Sequence, residues 1–347
     1  MNKVSIPLLI ATTSLTFSSL STAEEAQAYI VNGSDTTASS YPTFASLIKW
    51  QDYNSGYVSY GNYCGSTILK ANYVLTAAHC VYIDSTDDEE RMLFTNVYPQ
   101  LEDESWSNIS SSSTEKIRIS EVYYPDTYNG SLYHDVAILK LEQSMSVTDE
   151  AELPADNDDA TYRSSSYTFY AVGHGYTSKG TDGSTSLQDV ALTWVPNSSC
   201  NYTITTDYNL CMEGTVTYNS EAGENLEGSV CDGDSGGPLY WTDGSTQKLV
   251  GVTSYGPASK CGDPSYSATS VFSEVLDFKT WINNVTSGAV TAKYTFTETE
   301  RQAFRDGDYS YKYTSGTSSV SSSGSSGGSV PLWAFPLLIA GFILRRR

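Results

Sequence analysis

Gly233-Asp234-Ser235-Gly236-Gly237-Pro238 is the stretch on which the reading of this chain turns. Glycines on both sides of a serine let the backbone turn tightly and aim two N–H groups at one point, which a nucleophile beside an oxyanion site requires. A bland Gly-rich turn has a similar composition, so the stretch needs partners. Thr76-Ala77-Ala78-His79-Cys80 follows an apolar strand, and His134-Asp135-Val136-Ala137-Ile138-Leu139-Lys140-Leu141 places an acid before another strand. A serine hydroxyl is a poor nucleophile until an imidazole takes its proton. The imidazole in turn needs a carboxylate to hold its tautomer and stabilise its charge. Ser235, His79 and Asp135 can fill these roles.

The surrounding chain reads as all-β. Short β-rich runs alternate with turn residues at Phe44 to Ile48, Ser66 to Leu69, Tyr73 to Thr76, Val136 to Leu141, Tyr167 to Val172 and Lys248 to Ser254. Many short strands predict a sandwich or a barrel. Val275, Phe278, Trp281 and Ile282 recur at spacings of three and four, which predicts one helix near the end.

The order His, Asp, Ser is that of the chymotrypsin barrel rather than of subtilisin or the α/β-hydrolases. The sequence resembles the trypsin and chymotrypsin family throughout residues 30 to 285. Further matches are Ile30-Val31-Asn32-Gly33, Cys64-Gly65-Ser66, Val252-Thr253-Ser254-Tyr255-Gly256 and Trp281-Ile282. The resemblance implies two six-stranded antiparallel β-barrels with a C-terminal helix and a catalytic cleft between them. It implies an oxyanion hole from the N–H groups of Gly233 and Ser235. It implies a zymogen activated by cleavage after Tyr29, with the new Ile30 ammonium pairing with Asp234.

The same resemblance places Ser229 at the base of the primary specificity pocket, followed by Val230, with Gly256 and Ser270 on the walls. With no carboxylate at the base, a Lys or Arg side chain would enter without a counterion, so basic preference is disfavoured. Gly256 leaves room for a large side chain, and Ser270 narrows the slot. The reading is cleavage after aromatic or large apolar residues, with elastase-like preference for Ala or Val as the alternative. A rival of another class is an inactive homologue acting as an adhesin or binding module.

Length and composition agree. At roughly 150 residues per domain, 347 residues allow one large or two small domains. With 39% hydrophobic and 17% charged residues, wholesale disorder is excluded. Nineteen basic against 40 acidic residues give −21, which repels polyphosphate backbones and argues against nucleic-acid binding. The six Cys suggest three disulfides in an exported chain, and spacing alone leaves fifteen connectivities open. The resemblance implies Cys64 with Cys80, Cys200 with Cys211 and Cys231 with Cys261. His134 reads as a solvated loop residue, and His174, where the family usually carries Trp, as packing or hydrogen bonding. Three scattered His without Cys or Glu at ligand spacing make no zinc site. The acidic stretches Asp84 to Glu90 and Leu101 to Ser105 read as solvated surface, with calcium as the lesser alternative because no regularly spaced ligand loop is visible. No other cofactor is implied.

Both ends point to export. A lone cation, an apolar stretch from Val4 to about Phe17 and small residues ending at Ala23 make residues 1–23 a secretory signal and 24–29 a short activation peptide. The protease domain is then 30–285, followed by a linker with a Ser-Gly-rich stalk over 286–329. A hydrophobic tail over 330–347 closes on Arg345-Arg346-Arg347. As a helix, its apolar run of about 22 Å falls short of a hydrocarbon core of about 30 Å. The tail resembles the GlyGly carboxy-terminal sorting signals of Gram-negative bacteria, which implies transient membrane association and removal by a rhomboid-type protease during surface delivery. The partners implied are protein and peptide substrates.

Overall fold

The computed structural model describes residues 30–314 except 54–56, 177–184, 201, 221 and 258–259. The readings made for residues 1–29 and 315–347 lie outside the described residues. The first-half strands are β1 (Ser34–Asp35), β2 (Phe44–Asp52), β3 (Val58–Lys70), β4 (Tyr73–Thr76), β5 (Thr95–Pro99), β6 (Ile117–Tyr123) and β7 (Ala137–Leu141). The later ones are β8 (Thr168–Gly173), β9 (Gln188–Val195), β10 (Asn209–Gly214), β11 (Val216–Asn219), β12 (Glu224–Glu227), β13 (Pro238–Asp243), β14 (Thr246–Tyr255), β15 (Ser270–Glu274) and β16 (Tyr294–Thr295). Helices are short: α1 (Ala78–Val81), α2 (Thr86–Leu93), α3 (Trp106–Ile109), α4 (Asp159–Tyr162), α5 (Val275–Thr286) and α6 (Glu298–Asp306).

Two six-stranded antiparallel barrels result. In the first, the order β6-β5-β2-β3-β4-β7 closes through the β6–β7 pairing, and β16 adds to the outside of β6. In the second, β9-β10-β15-β14-β13-β8 closes through β8–β9, with β1 alongside β9. Closure removes the unpaired edges that would otherwise template aggregation. Each barrel is filled by inward-facing apolar side chains, among them Leu47, Ile68, Val74, Val97 and Ile138 in the first and Phe169, Leu192, Leu210, Val250 and Phe272 in the second. Four of the six strand runs expected from the sequence fall inside observed strands, the runs from Val136 and Tyr167 begin one residue before β7 and β8, and the helical spacing is α5, which buries Val275, Phe278, Ile282 and Val285.

Three contacts join the barrels near the nucleophile segment. Gly65 N donates to Ser235 O at 2.8 Å. Thr43 Oγ1 and Tyr240 Oη share a hydrogen bond of 2.6 Å. The Tyr41 and Tyr240 rings stack at 5.5 Å.

Residues 289–313 correct the expected start of the linker at 286. They fold onto the first barrel as β16, α6 and a short return. The helix begins with a capping box between Thr297 and Glu300 and ends at Gly307 in the left-handed region (φ 80°). Arg301 is wholly buried, its Nε donating to Leu93 O at 2.7 Å and its Nη2 to Ile119 O at 2.6 Å. Glu89, wholly buried from the barrel side, accepts from Tyr309 Oη (2.7 Å), Lys312 N (2.7 Å) and Tyr313 N (3.0 Å). Buried charges persist where they are paired or well hydrogen-bonded: Arg301 pairs with Glu142, and Glu89 takes three hydrogen bonds. No helix among the described residues is long and apolar enough to cross a membrane.

Candidate active site

His79 sits on α1, the single turn that follows β4, and the Cys64–Cys80 disulfide ties that turn to β3. Asp135 lies two residues before β7, which pairs with β4 from Thr76 opposite Ala137, so strand register sets the two side by side. Asp135 is wholly buried. Its Oδ1 accepts the backbone N of His79 at 2.8 Å, and its Oδ2 accepts the His79 Nδ1–H at 2.7 Å. The carboxylate thus fixes both the position and the tautomer of the imidazole. The ring stays partly exposed, 27%. Burial works to lower its affinity for a proton, but the Asp135 charge and hydrogen bond outweigh this and raise its pKa above the ordinary value.

Ser235 is carried on the turn before β13. Gly236 there has φ 76°, and a Cβ on it would lie 2.6 Å from Gly65 O and 3.0 Å from Ala77 N, so only glycine lets this turn press against the segment that leads into His79. Thr76 Oγ1 donates to Gly65 O at 2.8 Å, and Gly65 N to Ser235 O at 2.8 Å, linking the segments of His79 and Ser235 through one residue of β3. Among the described residues no hydrogen bond joins Ser235 Oγ to the His79 ring. Such bonds commonly close only when substrate completes the site. The His79 Nε2 lies 3.8 Å from Cys80 Sγ; an imidazole held by a buried carboxylate can take a serine hydroxyl proton during attack on a carbonyl once that nitrogen meets the hydroxyl.

The sequence reading missed two hydroxyls and one carboxylate here. Ser254 Oγ donates to Asp135 Oδ2 at 2.5 Å, and Ser273 Oγ to Asp135 O at 3.0 Å. Ser254 stood within the quoted Val252 to Gly256 motif, but its partner lies 119 residues away. Behind the pocket segment, Glu227 is buried with its carboxyl pKa raised by that burial, accepting from Gly214 N at 2.8 Å and Thr269 Oγ1 at 2.9 Å.

The remaining candidates group as follows. Val31 and Ser229 exchange backbone hydrogen bonds of 3.0 and 3.2 Å, and Val230 N donates to Ser270 Oγ at 3.1 Å. A Cβ on Gly256 would lie 2.8 Å from Thr269 O, so Ser229, Val230, Gly256 and the Thr269–Ser270 segment form one cluster. Ile30 is wholly buried in the core of the second barrel. Asp234 is buried, accepting from Gly175 N at 2.8 Å and Cys231 N at 2.9 Å. Burial foremost pushes its carboxyl up to about 7, with the Asp232 and Glu104 charges adding to the rise against those two amides. Three disulfides join Cys64 to Cys80, Cys200 to Cys211 and Cys231 to Cys261.

Cys64, His79 and Cys80 offer atoms within 4.8 Å of one another, but both sulfurs are spent in the disulfide and His79 Nδ1 is bonded to Asp135. In the acidic stretches, Asp88 takes Ser85 and Arg91, Glu89 takes the C-terminal segment, Asp103 takes Ser105, and Glu104 takes Asn62. His134, expected as a solvated loop residue, stands at φ 55° with its ring stacked on Tyr133 at 3.7 Å and edge-on to Tyr208 at 4.3 Å, and its Nε2 is buried.

The family described as Trypsin matches residues 30–282, the two barrels and most of α5. The chain belongs to the trypsin family. Among trypsin-family relatives, the rat protein named chymotrypsin-like elastase family member 1 is 28% identical over 75% of this chain and 91% of its own length. Serine protease 1 of Drosophila melanogaster is 29% identical over 76% and 88%. Trypsin CFT-1 of Choristoneura fumiferana is 28% identical over 79% and 97%. The chain is accordingly a serine endopeptidase of the chymotrypsin fold. Segment 289–313 lies beyond the trypsin-family match.

Proposed function

We propose that this endopeptidase works through an acyl-enzyme, with Ser235 as nucleophile, His79 as general base and acid, and Asp135 as the group that orients and charge-stabilises the imidazole. The observation that carries the assignment is the double grip of the buried Asp135 on His79, at 2.8 and 2.7 Å. The N–H groups of Gly233 and Ser235 would receive the oxyanion, each such donor contributing about 3 kcal/mol in comparable sites. Labelling with a fluorophosphonate tests the roles. Stoichiometric modification of Ser235 that is lost in His79→Ala supports them, and absence of labelling after maturation favours the inactive, binding homologue.

The protein is made as a zymogen in this reading, cut after Tyr29. The burial of Ile30 and the raised carboxyl of Asp234 support it, because an isolated buried carboxylate is costly and an ammonium released at Ile30 would neutralise it. Three disulfides support an oxidising, exported location. Residues 1–23 then serve as the export signal, and the tail over 330–347 as a sorting element that takes the enzyme to the surface of a Gram-negative cell through a transient membrane stage and a rhomboid-type cut.

Cleavage follows aromatic or large apolar residues, with Ser229 at the pocket base and Gly256 leaving the wall open. Ser270 and the relatives named as elastases favour a second reading, preference for Ala or Val. Peptide anilides ending in Phe, Leu, Ala and Arg separate the two.

A further inference from the structure

We propose that His174 is a positioning residue, a pin set into the first barrel that holds the Gly173–Gly175 loop around the Asp234 carboxylate and so keeps the Ser235 turn in its working placement. The proposal rests on the assignment of Asp234 as partner of the Ile30 ammonium.

The loop is moulded to Asp234. A Cβ on Gly173 or Gly175 would collide with the Asp234 carboxylate, and Gly175 N donates to its Oδ1 at 2.8 Å. Tyr176 N donates to Asp232 O at 2.8 Å, and a Cβ on Gly233 would reach Gly175 Cα at 3.0 Å. Any shift of this loop therefore moves the backbone on either side of Asp234.

His174 faces away from Asp234, into the first barrel. It is buried, with its ring 5.6 Å from that of Phe44. Its Nε2 lies 3.0 Å from Leu101 O, and because a carbonyl only accepts, Nε2 carries the hydrogen. Nδ1 is buried without a partner among the described residues. A packing residue would avoid that unpaired acceptor, so the Nε2–H bond is the feature that accounts for an imidazole here. Its receiving segment is itself fixed: Asn62 Nδ2 donates to Glu104 Oε2 at 2.5 Å, and Glu104 N to Thr185 O at 2.7 Å. The ionisable groups around the pin are Asp103 and Glu104, the latter 4.0 Å from Nε2, on the first-barrel side, and Asp232 and Asp234 on the nucleophile side. The indole N–H of Trp, which the family resemblance places at this position, is a ring donor of the same kind.

The test uses enzyme matured by cleavage after Tyr29 and titrated for active sites. His174→Phe, which keeps a ring but loses the donor, is expected to lower kcat about 10-fold, the loss of one well-placed hydrogen bond, with KM within about two-fold. The alkaline limb of kcat/KM, where the Ile30 ammonium loses its proton, should move to lower pH. His174→Trp should recover kcat to within about three-fold of the parent. A His174→Phe enzyme that melts earlier but keeps its kcat and its alkaline limb overturns the proposal. So does a His174→Trp enzyme with kcat down ten-fold, which is read even if the Phe variant fails to fold. Asp234→Asn separates the two assignments: loss of activity there with normal His174→Phe removes only the pin, whereas full activity of Asp234→Asn removes the activation pair and the pin together.

Discussion

The Arg301 guanidinium meets the Glu142 carboxylate at 2.5 Å, 159 residues back along the chain, donates to two carbonyls of the first barrel and lies 3.7 Å from Glu298 on its own helix. A segment outside the trypsin-family match thus completes the barrel that carries His79 and Asp135. Removing the buried guanidinium strands the two carbonyls it serves, at about 1 to 3 kcal/mol each, while its pairing with the exposed Glu142 adds little. Arg301→Leu should therefore lower the thermal midpoint by several degrees, and Arg301→Lys by less, since the ammonium keeps a charged donor but not the planar fork that reaches several acceptors at once. A melting curve of Arg301→Leu unchanged from the parent would show that the segment is ornamental.

Catalysis should fail in graded steps. Ser235→Ala or His79→Ala is expected to lower kcat about 10⁶-fold, and Asp135→Asn about 10⁴-fold. Ser254→Ala removes one of three donors on the carboxylate, so a drop of about 10-fold is expected. Burst kinetics with an activated ester measure each step, and a Ser254→Ala loss as large as that of Asp135→Asn would mean that Ser254 and not Asp135 sets the imidazole.

Proton affinities give two pH windows. Asp234 has a carboxyl raised from 3.8 to about 7 in the uncut chain. A group with a raised folded pKa stabilises most below its unfolded value, and that stability drains as pH climbs through the folded one. The uncut chain should thus lose stability between about pH 4 and 7, by about 4 kcal/mol at most from a shift of about three units. Asp234→Asn should abolish the slope, and maturation at Ile30 should flatten it. Urea midpoints across that range provide the check.

His79 likewise has a raised pKa, so its stabilising pairing with Asp135 is complete below about 6.5 and fades as pH rises through the higher folded value. Activity runs the other way, because the base must be unprotonated. The acid limb of kcat/KM should fall above about pH 6.5. In Asp135→Asn the limb should shift downward; a limb that stays put would assign it to another group.

Substrate choice is open to a direct comparison. With serine rather than a carboxylate at position 229, Phe and Leu anilides should exceed Arg anilides in kcat/KM by at least about 100-fold, since a cation entering without a counterion must be desolvated. Near-equal rates for Arg and Phe would reject this pocket assignment.

The chain order of motifs around His79, Asp135 and Ser235 was enough to identify the family, and alternating apolar runs marked six strands and α5. Those signals are local: side-chain period reports which face is buried, and a glycine-flanked serine reports a tight turn. The hydroxyl of Ser254 on Asp135, the carboxylate of Glu227 under Thr269, the imidazole of His174 on Leu101, the guanidinium of Arg301 on Leu93 and the carboxylate of Glu89 under Tyr309 were decided only in three dimensions. Each joins residues dozens to hundreds of positions apart by a hydrogen bond of about 3 Å, and no periodicity in a sequence records which distant donor will meet which buried acceptor. Residues 289–313 make the point most sharply: short and mixed in composition, they read as linker, yet the barrel surface supplies the charge partners that make them part of the fold.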